Sequence, residues 1–304
     1  MNGIKIISTG RGIPSKKVTN NDLAKIVDTN DEWITSRTGI KSRYYCGDNE
    51  SNVDLAYEAA KIAIEKNNID KSKIGVCVVA TFAAKTKVPS IACNIQSMLE
   101  LDEIPCFDIN AACTGFVYAV EVAKHLTSKE KPYMLVVCSE QISRKMDFDD
   151  RGTCVLFGDG AGAIIAENSD NLYHSMIKAK GNKEILNCDK YIKMDGSGVF
   201  RFAVGIVPKI IKELLENADL SVDDVDQIIC HQANQRILAH ISKKMKVPMD
   251  KLYMNLQNYG NTSSASIPIA LDEMLEKNMI KRGDKVMMIG FGGGLTWGGI
   301  LLEY

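Results

Sequence analysis

Cys113, in the run FDINAACTGF, stands where a thiol could do chemistry. The residues before it, 104–110, read as a short apolar strand. Those after it, TGFVYAVEVAKHL, read as a helix with Phe116, Ala119, Val120, Ala123 and Leu126 on one face. A cysteine at such a joint lies near free backbone N–H groups at the positive end of a helix dipole, which favours the thiolate. Two alanines before it and Gly115 after it leave room for a carbonyl carbon to approach the sulfur. The chemistry on offer is nucleophilic attack; the competing reading is a buried thiol that packs as a small hydrophobe.

A thiol nucleophile needs partners, and the chain has four histidines. His125 falls late in the helix after Cys113, where capping or solvation suits it. His174 falls in the polar loop stretch NLYHS, and His240 lies inside NQRILAHISKKM, a helix in which it packs or meets solvent. His231 is different, because it directly follows the apolar strand QIIC and opens onto QANQR. That is the same kind of joint as the one holding Cys113. Asn261, in NYGNTSSAS, has the spelling of a glycosylation sequon and also reads as a turn or cap ahead of SSASIPIALDEMLEK.

The elements that must hold these residues alternate along the chain. Apolar runs (IKIIS, IGVCVVAT, IPCFDI, YMLVVCS, AGAIIAE, QIIC, VMMIG) are separated by amphipathic stretches such as LAYEAAKIAIEKN and VPKIIKELLENA. Buried strands alternating with helices predict an α/β fold with covered sheets. Residues 54–83 and 205–231 share an order of helix, acidic or Asn-rich loop and strand, which predicts two related halves, 1–165 and 166–304. GDGAGA, at 158–163, has no following lysine and reads as a strand-linking turn rather than a phosphate loop.

With a formal net charge of −1 there is no global electrostatic case for a nucleic-acid or membrane partner. The first residues lack the long apolar core of a signal peptide, and no apolar run approaches a membrane span. The nine cysteines contain no C-x-x-C pair, which speaks against a zinc site or a disulfide framework and for a cytoplasmic location.

The motifs AACTGF, HQANQR, GNTSSAS and GFGGGLTWG, in that order, resemble those of the β-ketoacyl-acyl-carrier-protein synthase III family of thiolase-fold condensing enzymes. The resemblance runs from VTNNDLAKIVDTNDEWITSRTGI to the last residues. It implies a thiolase-like fold of two similar halves layered α-β-α-β-α, assembled as a homodimer. It also implies an acyltransferase that joins an acyl-CoA primer to malonyl-acyl-carrier protein by decarboxylating Claisen condensation, starting type II fatty-acid synthesis with no cofactor and no metal.

The same resemblance implies the site residues. Cys113 would carry the acyl group, while His231 and Asn261 would donate to the enolate oxygen. The backbone N–H groups of Cys113 and Gly293 would form an oxyanion hole, with Phe291 beside the thiol. Thr29, Trp33, Arg37 and Arg151 would meet the CoA nucleotide, and Phe200 and Asn234 would line the pantetheine channel. Arg201, Arg236, Lys243 and Lys244 would receive the acidic carrier protein, with Lys246 close by. Val88 stands where a phenylalanine often closes the acyl pocket from the neighbouring subunit, and Leu156 is a second candidate wall. The stretch Ala166 to Met194 is shorter than in familiar relatives.

Three rivals are weighed against this. A thiolase needs a second cysteine in the C-terminal glycine motif, and 288–294 has none. A thiolase-fold acyltransferase, or a condensing enzyme of specialised polyketide or quinolone synthesis, would share Cys113 and His231. A non-catalytic scaffold would be expected to have lost one of the three.

Overall fold

In the computed structural model, which describes residues 3–304, two large sheets and three layers of helix alternate. The first sheet has the order Gly3–Gly12, Gly160–Ser169, Tyr133–Glu140, Ile74–Ala80, Cys106–Ile109. Its first two pairings are antiparallel and its last two parallel. The second sheet has the order Tyr173–Asn182, Gly294–Glu303, Lys285–Gly292, Gln227–Cys230, again antiparallel, antiparallel, then parallel. The two sheets therefore repeat one plan, with one strand fewer in the second.

Helices Gly115–Lys124 and Ser266–Glu276 pack against both sheets and form the middle layer. A helix covered on both sides has no polar face to spare, and nine of the eleven residues of Ser266–Glu276 are buried. The outer layers are Asn52–Lys66 and Ile91–Met98 on the first sheet, and Gly196–Ala218 with Gln235–Met245 on the second. The buried carboxylate of Asp272 ties the layers together. It accepts from Thr9 and Arg11 on the first strand and from Lys66 at the end of the outer helix.

The strands read from the sequence are present, and the repeated order of helix, loop and strand is too. Asn52–Lys66, a 3₁₀ turn at Lys71–Lys73 and Ile74–Ala80 match Gly196–Ala218, a 3₁₀ turn at Val222–Asp224 and Gln227–Cys230. The division expected at 165/166 falls inside Gly160–Ser169, which stays paired with Gly3–Gly12 as far as Ser169. The second sheet begins at Tyr173.

Two local readings are corrected. GDGAGA is not a linking turn, because Gly160 to Ala163 already form the strand. Its glycines answer to close packing: a Cβ on Gly162 would stand 2.8 Å from the backbone nitrogen of Ile269 on the middle helix. His174 lies in the strand Tyr173–Asn182, opposite Leu301, and not in a loop. Among the described residues, no helix is long and apolar enough to cross a membrane.

Candidate active site

Two turns, one at the head of each middle helix, face each other. In the first, Asn110 accepts the Ala112 N–H through its side-chain oxygen at 3.1 Å, Ala112 adopts φ +46°, and Cys113 follows before the helix starts at Gly115. In the second, Asn261 accepts the Ser263 N–H at 2.9 Å, Ser263 adopts φ +50°, and Ser264 follows before the helix starts at Ser266. Left-handed backbone in two non-glycine residues costs energy, and the two asparagine side chains help to hold it. The repeated plan thus reaches the site itself, with Ser264 in the place that corresponds to Cys113.

Each turn rests on a strand end from the other half. Gly292 ends Lys285–Gly292 beneath Cys113, where a Cβ would come within 2.8 Å of the Cys113 Cβ and 3.2 Å of its sulfur. Glu140 ends Tyr133–Glu140 beneath the serine turn, and its carboxylate accepts from the Ser264 hydroxyl at 2.7 Å. Where one strand has no side chain to make room for a thiol, its counterpart has a buried acid.

The second turn also reaches the other two residues singled out from sequence. The Ser263 hydroxyl stands 3.4 Å from the Cys113 sulfur. The Ser266 hydroxyl lies 2.7 Å from Nδ1 of His231 and accepts the Gln232 N–H at 3.3 Å. With that N–H already pointing at the oxygen, the serine proton is free to be given to Nδ1, which leaves the imidazole proton on Nε2. The His231 ring is packed edge-on against Phe291, with centroids 5.3 Å apart. Asn261 spends its side-chain oxygen on the turn, so its amide N–H groups are the donors that remain.

Burial dominates the electrostatics. It pushes the Cys113 thiol up to about 12, against the lowering effect of the Ser263 contact. The thiolate expected from the helix dipole is therefore not the resting form of the protein, because desolvation outweighs a dipole effect of about 1 kcal/mol. Burial also drives the His231 imidazole down to about 3, so it stays neutral. Glu140 is raised to about 7 by burial, with its hydrogen-bond donors acting the other way.

A cavity of about 350 Å³ opens onto Cys113, Ser263 and Gly293. Its apolar walls are Phe82, Phe157, Leu186 and Ile192, and Cys188 lies on its rim. Leu186 and Ile192 belong to a small hairpin, Leu186–Cys188 with Ile192–Met194, inside the stretch that reads as shortened. Alternating apolar residues around Asp189 and Lys190 were the sequence signal for it. Neither Val88 nor Leu156 lines this cavity. Val88 is 87% exposed, and Leu156 accepts the Asn261 N–H through its carbonyl.

The residues assigned to CoA form a separate cluster. The guanidinium of Arg37 lies 5.4 Å from the centre of the Trp33 ring, and that of Arg151 lies 4.8 Å from it. Arg151 also donates to the carbonyl of Asp28, next to Thr29, whose buried hydroxyl lacks a hydrogen-bond partner. Asn234 caps Gln235–Met245 and donates to the Arg37 carbonyl at 3.2 Å. Phe200 packs edge-on to His240 on the same helix. Arg236, Lys243, Lys244 and Lys246 are exposed along or just past it, while Arg201 sits across from it near Asp195. Sequence reasoning missed Ser263, Ser264, Ser266 and Glu140. Their signal was polar residues in apolar company, in TSSASIPIA and at the end of YMLVVCSE. Among the described residues, no group of three or more His, Cys, Asp or Glu could hold a metal ion.

An unfolded histidine titrates near 6.5 but His231 does not until about 3, so between those values the unfolded chain holds the extra proton. Stability is therefore lost as pH falls through that window. The stability advantage of the wild type over His231→Gln, read from urea unfolding, should shrink by on the order of 2–3 kcal/mol between pH 7 and pH 4. An advantage that stays constant with pH would contradict a buried, neutral imidazole.

Known proteins resemble this chain in sequence and in fold. A family model described as 3-oxoacyl-[acyl-carrier-protein (ACP)] synthase III matches residues 107–181, and its C-terminal counterpart matches 215–304. The β-ketoacyl-[acyl-carrier-protein] synthase III of Acholeplasma laidlawii is 49% identical over 308 residues, covering 99% of this chain and 98% of that protein. That of Clostridium acetobutylicum is 44% identical over 326 residues, covering 100% and 99%. The crystal structure of 3-oxoacyl-[acyl-carrier-protein] synthase III from Aquifex aeolicus superimposes with a TM-score of 0.95 at 42% identity, covering 99% of this chain and all of that one. With that likeness along its whole length, the chain belongs to the β-ketoacyl-[acyl-carrier-protein] synthase III family.

Proposed function

We propose that this protein condenses an acyl-CoA primer with malonyl-acyl-carrier protein, releasing CO2 and starting type II fatty-acid synthesis. The observation that carries this is the serine turn, which meets the Cys113 sulfur and the His231 imidazole together beside an apolar cavity. Cys113 attacks the thioester carbonyl of acyl-CoA and keeps the acyl group, which lies among Phe82, Phe157, Leu186 and Ile192. The oxyanion formed on the way is held by the backbone N–H groups of Cys113 and Gly293. Loss of CO2 from the malonyl group then leaves an enolate, whose oxygen takes hydrogen bonds from Nε2 of His231 and the amide of Asn261. A neutral imidazole suits that task, since it donates without giving up its proton. The enolate carbon attacks the acyl-Cys113 carbonyl and the thiolate departs.

Trp33, Arg37 and Arg151 receive the CoA nucleotide, with Thr29 beside them and Phe200 and Asn234 along the arm. A planar indole with two guanidinium groups close to its ring offers both stacking and phosphate contacts. Arg236, Lys243 and Lys244, with Arg201, receive the acidic carrier protein in the cytoplasm. Two copies pair through the edge strand Cys106–Ile109, which would cover the exposed Val88 and bring it to the partner's acyl pocket. The strand plan that recurs in the two sheets supports the reading of two related halves, expected at 1–165 and 166–304.

Incubation with acyl-CoA alone should add an acyl mass to the Cys113 peptide. In His231→Ala and Asn261→Ala that adduct should persist, while CO2 release from malonyl-carrier protein falls by about 10²–10³-fold. Equal loss of both half-reactions would make these residues structural. The partner surfaces separate in the same way. Trp33→Ala should raise KM for acyl-CoA alone, and Arg236→Glu should raise KM for malonyl-carrier protein, most strongly at low salt. An Arg236→Glu enzyme with normal carrier-protein kinetics at low salt would show that the carrier protein docks elsewhere.

A further inference from the structure

Acyl transfer to Cys113, the reading on which this inference rests, begins with a thiol that must lose its proton. The structure limits where that proton can go. Cys113 is 6% exposed, and burial holds it in the thiol form. The imidazole of His231 is fixed at Nδ1 by Ser266 and is too weak a base, at about 3, to take a proton at neutral pH. The side chain that meets the sulfur is Ser263, through its hydroxyl.

Next to it in the turn, Ser264 donates to Glu140, a fully buried carboxylate at the end of Tyr133–Glu140, and Ser263 itself lies near enough to that carboxylate to act against its rise on burial. Glu140 accepts from the Ser264 hydroxyl at 2.7 Å, the Thr81 hydroxyl at 3.2 Å and the N–H groups of Phe82 and Ala83 at 3.2 and 3.3 Å. These donors are neutral. The titratable groups that feel its charge are thiols: Cys113 on the turn, Cys138 on its own strand and Cys188 on the hairpin. An acid buried without a cation is expensive to keep, and four donors are spent on it.

We propose that Glu140, through the Ser263 hydroxyl, takes the thiol proton of Cys113 when an acyl group arrives and returns it when the acyl group leaves. In acylation the S–H proton passes to the Ser263 oxygen as the Ser263 proton passes to a Glu140 oxygen. The thiolate forms the new S–C bond, the CoA–S bond breaks, and the CoA thiolate takes a proton from water. In condensation the enolate carbon displaces Cys113 as thiolate. The Glu140 proton then travels back along the same hydroxyl. Burial raises Glu140 to about 7, so it is present in both forms at neutral pH, as a shuttle must be.

The test is the pH dependence of Cys113 acylation by acyl-CoA alone, followed by rapid quench and mass spectrometry. In the wild type the rate should rise with pH about a midpoint near 7. In Glu140→Gln and Ser263→Ala the midpoint should move above about 9, toward a thiol titrating unaided, with about 10²-fold slower acylation at pH 7. Glu140→Asp should restore a midpoint below that of Glu140→Gln. A purely structural role would lower the rate at every pH and leave the midpoint in place, which overturns the proposal. If Glu140→Gln does not fold, Ser263→Ala decides alone: a midpoint still near 7 overturns the relay. A wild type that acquires no acyl group on Cys113 would instead defeat the assignment of Cys113 itself.

Discussion

The hydroxyl of Ser266 meets His231 three residues along from Ser263, whose own hydroxyl meets the Cys113 sulfur and whose N–H holds Asn261. Ser264, between them, bonds to Glu140 and to the carbonyl of Ala80. Thr262 to Ser266 are all buried, so none of these contacts competes with bulk water. The placement of thiol, imidazole and amide therefore hangs on one short turn. Displacing it by an ångström would move the groups apart, a misplacement that typically costs about 10²-fold in rate.

The same turn occurs twice in the fold. Each half begins its middle helix from an asparagine-held, left-handed turn, and each turn sits on the last residue of the other half's central strand. The two turns differ in a complementary way. One turn holds Cys113 over a glycine, which gives the sulfur room; the other holds Ser264 over Glu140, which gives the turn rigidity. A nucleophile and the scaffold that orients its partners thus come from equivalent positions.

How much of this was legible in the sequence depended on whether a residue's role was local. Cys113 and His231 stood out because each stands where a short apolar strand gives way to a helix, and such a joint is visible in a few residues. Asn261 also read as a turn, which it is. The acidity of Cys113 was not legible. Local reasoning sees the helix dipole, whereas the burial that outweighs it comes from strands far along the chain. Glu140 reads as an ordinary strand end, and only its contact with a serine 124 residues away makes it a buried acid. The glycines of GDGAGA misled for a related reason, since they make way for the backbone of a helix more than 100 residues on. The stacking of Arg151 on Trp33 is equally invisible to spacing, and only resemblance joined the two.

If the serine turn divides its labour in this way, its two ends serve different half-reactions. The direct measurement is the rate of Cys113 acylation and the rate of CO2 release from malonyl-carrier protein, taken separately in Ser263→Ala and Ser266→Ala. The account requires a crossed pattern. Ser266→Ala, with the tautomer of His231 no longer fixed, loses CO2 release and keeps acylation; Ser263→Ala slows acylation at pH 7 and keeps CO2 release. If both variants lose both rates in parallel, the turn is only a structural prop, and the assignment of separate roles to its serines is wrong.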